Sequence, residues 1–152
     1  MAVCTGKGDK GFSSLSSGAP ICKSELCFDV LGNIDELSAA LGLAKAAGAH
    51  KETLEGFQRT LINIMSYVSC RDERFLLTSH DAEIVLAHSD ITLKEFILPG
   101  KDEKSARLDF ARTVARRAER SYIRLHRREG LDENAIVFLN RLSDALFVME
   151  NE

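Results

Sequence analysis

The sequence predicts an all-α protein, a bundle of five helices behind a glycine-rich N-terminal stretch, and three observations predict it. Apolar residues recur in alternating steps of three and four along separate stretches of the chain, the 3.6-residue period of a helix face. Strand signals are confined to two short apolar runs, "CFDVL" (Cys27 to Leu31) and "FILP" (Phe96 to Pro99). Gly130, after "HRRE", ends one long helix, and the connection to the next is so short that those two helices must be antiparallel neighbours.

The elements follow in order. A first helix should start near Asn33, whose side chain can cap the amide of Glu36, and run through Ile34, Leu37, Leu41 and Ala44. Leu54, Phe57, Leu61, Ile64 and Val68 form the stripe of a second helix, and start signals place a third at about Ser79 to Asp90. Leu108, Ala111, Ala115, Ala118, Tyr122 and Leu125 make the seam of the long fourth helix, and Ala135, Leu139, Leu142, Leu146 and Met149 that of the fifth. The segment up to about Leu31 is the only long irregular region, and such segments in small domains are usually functional or disordered. With no internal repeat or linker in view, the expected organisation is one domain over residues 1–152, with 1–30 irregular and 31–150 a helical bundle.

Composition narrows the function. The 152 residues are 45% hydrophobic and 28% charged, ordinary for a globular domain that can bury its own core. No apolar run is long enough to cross a membrane, and a net charge of −3 argues against general nucleic-acid binding, so any basic cluster is local and suited to a small anion. No secretory signal is visible, which makes the cytoplasm the expected compartment, or the mitochondrial matrix for a eukaryotic chain that has lost a targeting peptide. Cys4, Cys22, Cys27 and Cys70 lack CxxC spacing, so they read as small buried or half-buried thiols rather than zinc ligands or disulfides. His50, His80, His88 and His126 form no cluster and read as surface residues.

Two stretches carry chemistry. "TGKGDKGFSS" (Thr5 to Ser14) is not a Walker A loop, because Phe12 follows Gly11 where that motif continues with lysine. Its glycines, lysines and hydroxyls still suit either a backbone phosphate cradle or a mobile terminus. On the fourth helix Arg112, Arg116 and Arg120 stand four residues apart and line one side, flanked by Arg117 and Glu119. A solvated face with an Arg116–Glu119 pair would explain that row too. Its place beside the small residues Ala111, Ala115 and Ala118, where another helix can come close, favours an interface. On the fifth helix Asn140 and Asp144 share a face, with Ser143 beside Asn140, and read as rim groups or as ligand-orienting ones.

Taken in order, "TGKGDKGFSS", "GNIDELSAALGLA", "FILPG", "ARTVARRAER" and "FLNRLSDALF" resemble the ATP:cob(I)alamin adenosyltransferases of the propanediol-utilisation type. The resemblance runs from Thr5 to about Phe147, with a divergent stretch between Glu73 and Lys94. It implies a five-helix, ferritin-like up-down bundle that forms a homotrimer with active sites between subunits. It also implies transfer of the 5′-deoxyadenosyl group of ATP to the cobalt of cob(I)alamin, releasing triphosphate, with magnesium present. A cobalamin reductase and an adenosylcobalamin-dependent enzyme are the implied partners.

Carried onto this chain, the resemblance assigns ATP binding to Thr5, Gly6, Lys7, Gly8, Ser13, Ser14 and Lys23, to Arg116, Arg117, Glu119 and Arg120, and to Asn140. Asp35 would pair across a subunit boundary with Arg112, and Phe96 would cover the lower face of the corrin ring. Gly6, Pro20, Asp29 and Asn33 depart from the usual residues of that family, and "VMENE" stands where relatives continue with a more basic end. The residue types suit the chemistry. Attack of cobalt(I) on the ribose C5′ needs no general base, only stabilisation of the departing triphosphate by cations. The alternative is a non-catalytic ATP- or polyanion-binding helical bundle with a regulatory role, in which Phe96 would have no evident use.

Overall fold

The computed structural model describes residues 6–16, 18–86 and 98–151. It contains a two-stranded hairpin, β1 (Phe12–Ser14) and β2 (Pro20–Cys22), followed by α1 (Leu26–Ala46), α2 (Lys51–Cys70), a 3₁₀ turn (Glu73–Phe75), α3 (Ser79–Leu86), α4 (Glu103–Glu129) and α5 (Glu133–Glu150). The expected all-α bundle is the architecture found. α4 lies between α1 and α5, α2 folds back on α1, and α3 packs on α5.

Every stripe residue named from the sequence is in the core. Ile34, Leu37, Leu41, Leu54, Leu61, Leu108, Ala115, Tyr122, Leu125, Leu139 and Leu142 are all fully enclosed. The seam alanines of α4 let its neighbours approach closely, as their small size requires.

Two local expectations are corrected. α1 starts at Leu26, with Glu25 at its N-cap, so Asn33 lies inside a helix and caps nothing. Cys27 and Val30 extend the Ile34/Leu37/Leu41/Ala44 stripe upstream in steps of three and four, and the pull of the core on that stripe outweighs the local capping signal. "CFDVL" is therefore the first turn of α1, and the strands occur instead at Phe12–Ser14 and Pro20–Cys22. Among the described residues two strands pair, antiparallel with Phe12 opposite Cys22 and Ser14 opposite Pro20, so the proline sits on an edge where its missing N–H does no harm. Of "FILP", Phe96 and Ile97 lie outside the described residues, as does the predicted end of α3 beyond Leu86.

Helix ends are fixed by side chains. Asp102 accepts a hydrogen bond from the Ser105 amide at 2.8 Å while the Ser105 hydroxyl accepts from the Asp102 amide at 3.0 Å, a reciprocal cap that starts α4. Gly130 ends α4 in the left-handed region (φ 66°), as the sequence predicts, and Asp132 caps α5 through the Asn134 amide. The other Asp132 carboxylate oxygen takes the Leu77 amide at 2.9 Å, and Asn134 Nδ2 donates to the Leu77 carbonyl at 2.8 Å, which ties the chain before α3 to the α4–α5 corner. His126 belongs to the same corner: part-buried, its Nδ1 lies 2.7 Å from the Leu131 carbonyl, so it is a structural group rather than a plain surface residue. Cys22, Cys27 and Cys70 are free thiols, the first and last half-buried and Cys27 buried.

Candidate active site

From Gly6 onward the glycine-rich stretch is a run of hydrogen-bonded turns. The Asp9 amide donates to the Gly6 carbonyl and the Gly11 amide to the Gly8 carbonyl, each at 3.2 Å, with Gly6 and Gly11 at φ 66° and 79°. Such conformations strain any residue with a Cβ. The Lys23 amide closes the hairpin onto the Gly11 carbonyl at 2.8 Å, and its ammonium donates to the Gly8 carbonyl at 3.0 Å. Lys7, Gly8, Phe12, Ser13, Ser14 and Pro20 line a cavity of about 410 Å³ on this hairpin. Two hydroxyls and the Lys7 ammonium thus line one opening, with the Lys23 ammonium held against the Gly8 carbonyl beside it, a composition suited to an anion. Thr5 lies outside the described residues.

A second cavity, of about 400 Å³, lies between α4 and α5 and is lined by Arg112, Arg116, Arg141, Ser143, Asp144, Phe147 and Val148. The predicted row therefore contributes Arg112 and Arg116 to one cleft. Arg120 is exposed two turns further along α4 from Arg112, and Asn140 is exposed on α5 one turn before Asp144. Arg117 points the other way and forms a close ion pair with Glu36 of α1.

Sequence reasoning missed Arg141. It sits inside the quoted "FLNRLSDALF" block, but one residue past Asn140, and nothing in the spacing separates a cleft residue from a solvated one. Its Nη1 is 3.9 Å from Asp144, while its Nε is buried and lacks a hydrogen-bond partner.

Arg112 is the most restrained of the three cleft arginines. Its Nε and Nη2 donate to Asp109 Oδ1 at 2.9 and 2.5 Å, its Nε lies 3.8 Å from Glu150 Oε2, and its guanidinium carbon is 5.8 Å from the centre of the Phe147 ring. Asp109 and Glu150 are buried carboxyl groups that the sequence did not single out. Burial pushes the Glu150 carboxyl up to about 7, helped by the charge of Asp109 and opposed by Arg112. Asp35 is exposed on α1, so the pair it was expected to form with Arg112 is one that a single chain does not contain.

The two cavities share no lining residue. The hairpin region is held at the far end of the bundle, by a Ser16–Ser69 hydroxyl contact of 3.1 Å to α2 and by Glu25, 3.6 Å from Arg128 of α4. Arg128 lies twelve residues beyond Arg116, about 18 Å along the helix at 1.5 Å per residue. One chain therefore presents two separate cavities with cationic linings. Among the described residues no group of three His, Cys, Asp or Glu side chains could hold a metal ion, and no helix is long and apolar enough to cross a membrane. Phe96 lies outside the described residues.

Comparison with known proteins gives the arrangement its context. The chain is similar to the corrinoid adenosyltransferase PduO of Salmonella typhimurium, 34% identical over 98% of this chain and 48% of the relative. It spans about half the length of the first curated relatives it matches. It also superposes on a PduO-type ATP:co(I)rrinoid adenosyltransferase from Lactobacillus reuteri, an arginine-to-lysine variant complexed with ATP, with a TM-score of 0.87 and 27% identity over 97% of this chain and 91% of that one. A phenylalanine-to-alanine variant from the same organism, complexed with cobalamin and ATP, gives a TM-score of 0.82 and 26% identity over 98% and 91% of the two chains. The family model described as cobalamin adenosyltransferase matches residues 3–151, nearly the whole chain, and to that family this protein belongs.

Proposed function

We propose that the protein transfers the 5′-deoxyadenosyl group of ATP to the cobalt of cob(I)alamin, forming adenosylcobalamin and triphosphate. The observation that carries the reading is the α4/α5 cleft, where Arg112, Arg116 and Arg141 bring three guanidinium groups to one polyphosphate-sized opening. Guanidinium forks bind phosphate oxygens bidentately and keep their charge at every physiological pH. Negative charge grows on the triphosphate as the C5′–O bond breaks, so fixed cations around it lower the barrier without any proton transfer. Cobalt(I) of the corrinoid is the nucleophile, and holding it in line with C5′ supplies the rest of the acceleration.

The loop and the cleft would serve one nucleotide only if two copies of the chain meet. We place Gly6, Lys7, Gly8, Ser13, Ser14 and Lys23 of one subunit against Arg116, Arg120, Glu119 and Asn140 of the next, in a homotrimer. Arg117, committed to Glu36, serves as a brace between α4 and α1 that keeps the row in place. Asp35 would reach Arg112 across the same boundary, and Thr5 would extend the loop. Phe96 would cover the lower face of the corrin ring and keep a lower ligand off cobalt.

Magnesium would enter on the nucleotide. The lack of a three-residue donor cluster among the described residues fits an ion held mainly by phosphate oxygens and water. Asp144 is the carboxylate among the cleft residues that could touch it.

The test mixes the protein with ATP, magnesium and chemically reduced cobalamin and follows the absorbance change of cobalt–carbon bond formation. An ATP-dependent change is expected. Its absence, with ATP still bound, would leave the non-catalytic nucleotide-binding bundle as the better reading. In Phe96→Ala, ATP affinity should survive while adenosylation starting from cobalt(II) collapses.

A further inference from the structure

Arg112 shares its buried surroundings with two carboxyl groups. Asp109, one turn before it on α4, takes its Nε and Nη2 hydrogen bonds, and Glu150 of α5 approaches the same Nε at 3.8 Å. Glu150 is 8% exposed, and its Oε2 has no hydrogen-bond partner. Two carboxylates and one guanidinium would leave one negative charge in a poorly hydrated pocket, which the protein avoids most cheaply by keeping a proton on one acid. On the other side of this cluster Arg112 faces the α4/α5 cleft, with Phe147 against its guanidinium plane.

We propose that Glu150, together with Asp109, is a positioning residue for Arg112 and makes the cleft's hold on a polyphosphate weaken as the solution turns alkaline. The proposal rests on the reading of the cleft as a triphosphate site. With Glu150 neutral, Asp109 alone of the carboxyl groups in the same chain balances Arg112, and the guanidinium is shared between the cleft and the Asp35 of the next subunit. With Glu150 ionised, a second carboxylate draws the guanidinium inward and offsets its charge. The changeover falls near neutrality, because burial and the Asp109 charge hold the Glu150 carboxyl at about 7.

The groups acting on Glu150 are Asp109 and Arg112, both from α4. α3, the other helix packed on α5, carries His80, Asp81 and Glu83 among its described residues, and none of these acts on it. The remaining charged cleft groups are Arg116, Arg141 and Asp144.

The experiment measures binding of inorganic tripolyphosphate to the full chain by calorimetry between pH 6 and 8.5, for the wild type, Glu150→Gln and Asp109→Asn. Glutamine keeps the shape of Glu150 but cannot ionise. Its profile should match the wild type at pH 6 and lie about fivefold tighter at pH 8, the effect of removing one charge about 8 Å from a bound phosphate at an effective dielectric near 20 and about 0.1 M salt. Asp109→Asn should move the wild-type changeover to lower pH, which a merely structural role would not do. Parallel profiles in the wild type and Glu150→Gln would overturn this proposal alone. Tripolyphosphate that fails to bind the wild type at any pH would overturn both it and the reading beneath it.

Discussion

The hairpin at one end of the bundle and the α4/α5 cleft at the other both carry cationic side chains, yet they are held in different ways. The cleft arginines project from two long helices whose seams are fully buried, so the backbone positions that carry them are set before any ligand arrives. The hairpin is held by its strand pairing, by turn hydrogen bonds from the Asp9, Gly11, Gly18 and Lys23 amides, by Lys23 Nζ and by one hydroxyl contact to α2. Its apolar anchoring is limited to the half-buried Leu15 and Ile21, so it belongs to the part of the fold that opens at lower cost than the helices. A fixed cationic wall and a loop able to close are the two components of a site that must admit a large substrate and then exclude water. Their separation along α4 is the reason the proposed nucleotide site takes them from different chains.

The largest effect should come from Arg116. Removing its fork deletes a charge-assisted contact worth roughly 1.5–3 kcal/mol, so Arg116→Ala should weaken ATP binding or slow turnover roughly ten- to 150-fold. Because Arg116 is exposed, the melting temperature should hardly move. Lys23→Met should act from the other end, loosening the Gly8 turn and weakening ATP through the loop.

Mixing those two variants sharpens the comparison. If each site takes its loop from one subunit and its cleft from the next, random exchange in a trimer rebuilds about a quarter of the sites, as heterologous interfaces allow. Activity recovered by the mixture supports a shared site. No recovery after proven subunit exchange would place loop and cleft in the same chain and break the comparison.

A smaller effect distinguishes the inner side of the cleft. The folded chain keeps a proton on Glu150 up to about pH 7, whereas the unfolded chain releases it near the ordinary glutamate value. Stability linked to this group is therefore intact below the unfolded value and is lost as pH rises toward 7 and beyond. Glu150→Gln should be about as stable as the wild type near pH 4.5 and roughly 3 kcal/mol more stable at pH 8. Denaturant unfolding at the two pH values checks this, and equal differences at both would place the charge of Glu150 outside the energetics.

Much of this arrangement was legible in the sequence because burial leaves a period. The stripes through Leu54 to Val68, Leu108 to Leu125 and Ala135 to Met149 are helix faces and core alike, and Gly130 marked its turn through a conformation that glycine takes without strain. The first helix was misplaced at its start because Asn33 offers a local cap, while Cys27 and Val30 extend the stripe behind it. The hairpin escaped notice because three-residue strands are too short to show a period. Asp109 and Glu150 were missed for another reason. They are 41 positions apart, and only the antiparallel packing of α4 on α5 brings both to Arg112.

The least costly test compares two neighbours on α4. Arg116 and Arg117 are one residue apart, so they point about 100° apart around the helix, the first into the α5 cleft and the second toward Glu36 of α1. The Arg117–Glu36 pair is about half exposed at both members, and solvent and salt screen such pairs, so its contribution to stability should lie between about 0 and 1 kcal/mol. Arg117→Ala should accordingly lower the melting temperature by a few degrees at most, and Glu36→Gln should do the same without adding to it, since both remove one interaction. ATP affinity should fall by far less than in Arg116→Ala. A loss in Arg117→Ala as large as that in Arg116→Ala, with Glu36→Gln unchanged, would show the guanidinium leaving Glu36 for the nucleotide. The triphosphate would then be gripped from both sides of α4, and Arg117 would be a ligand rather than a brace.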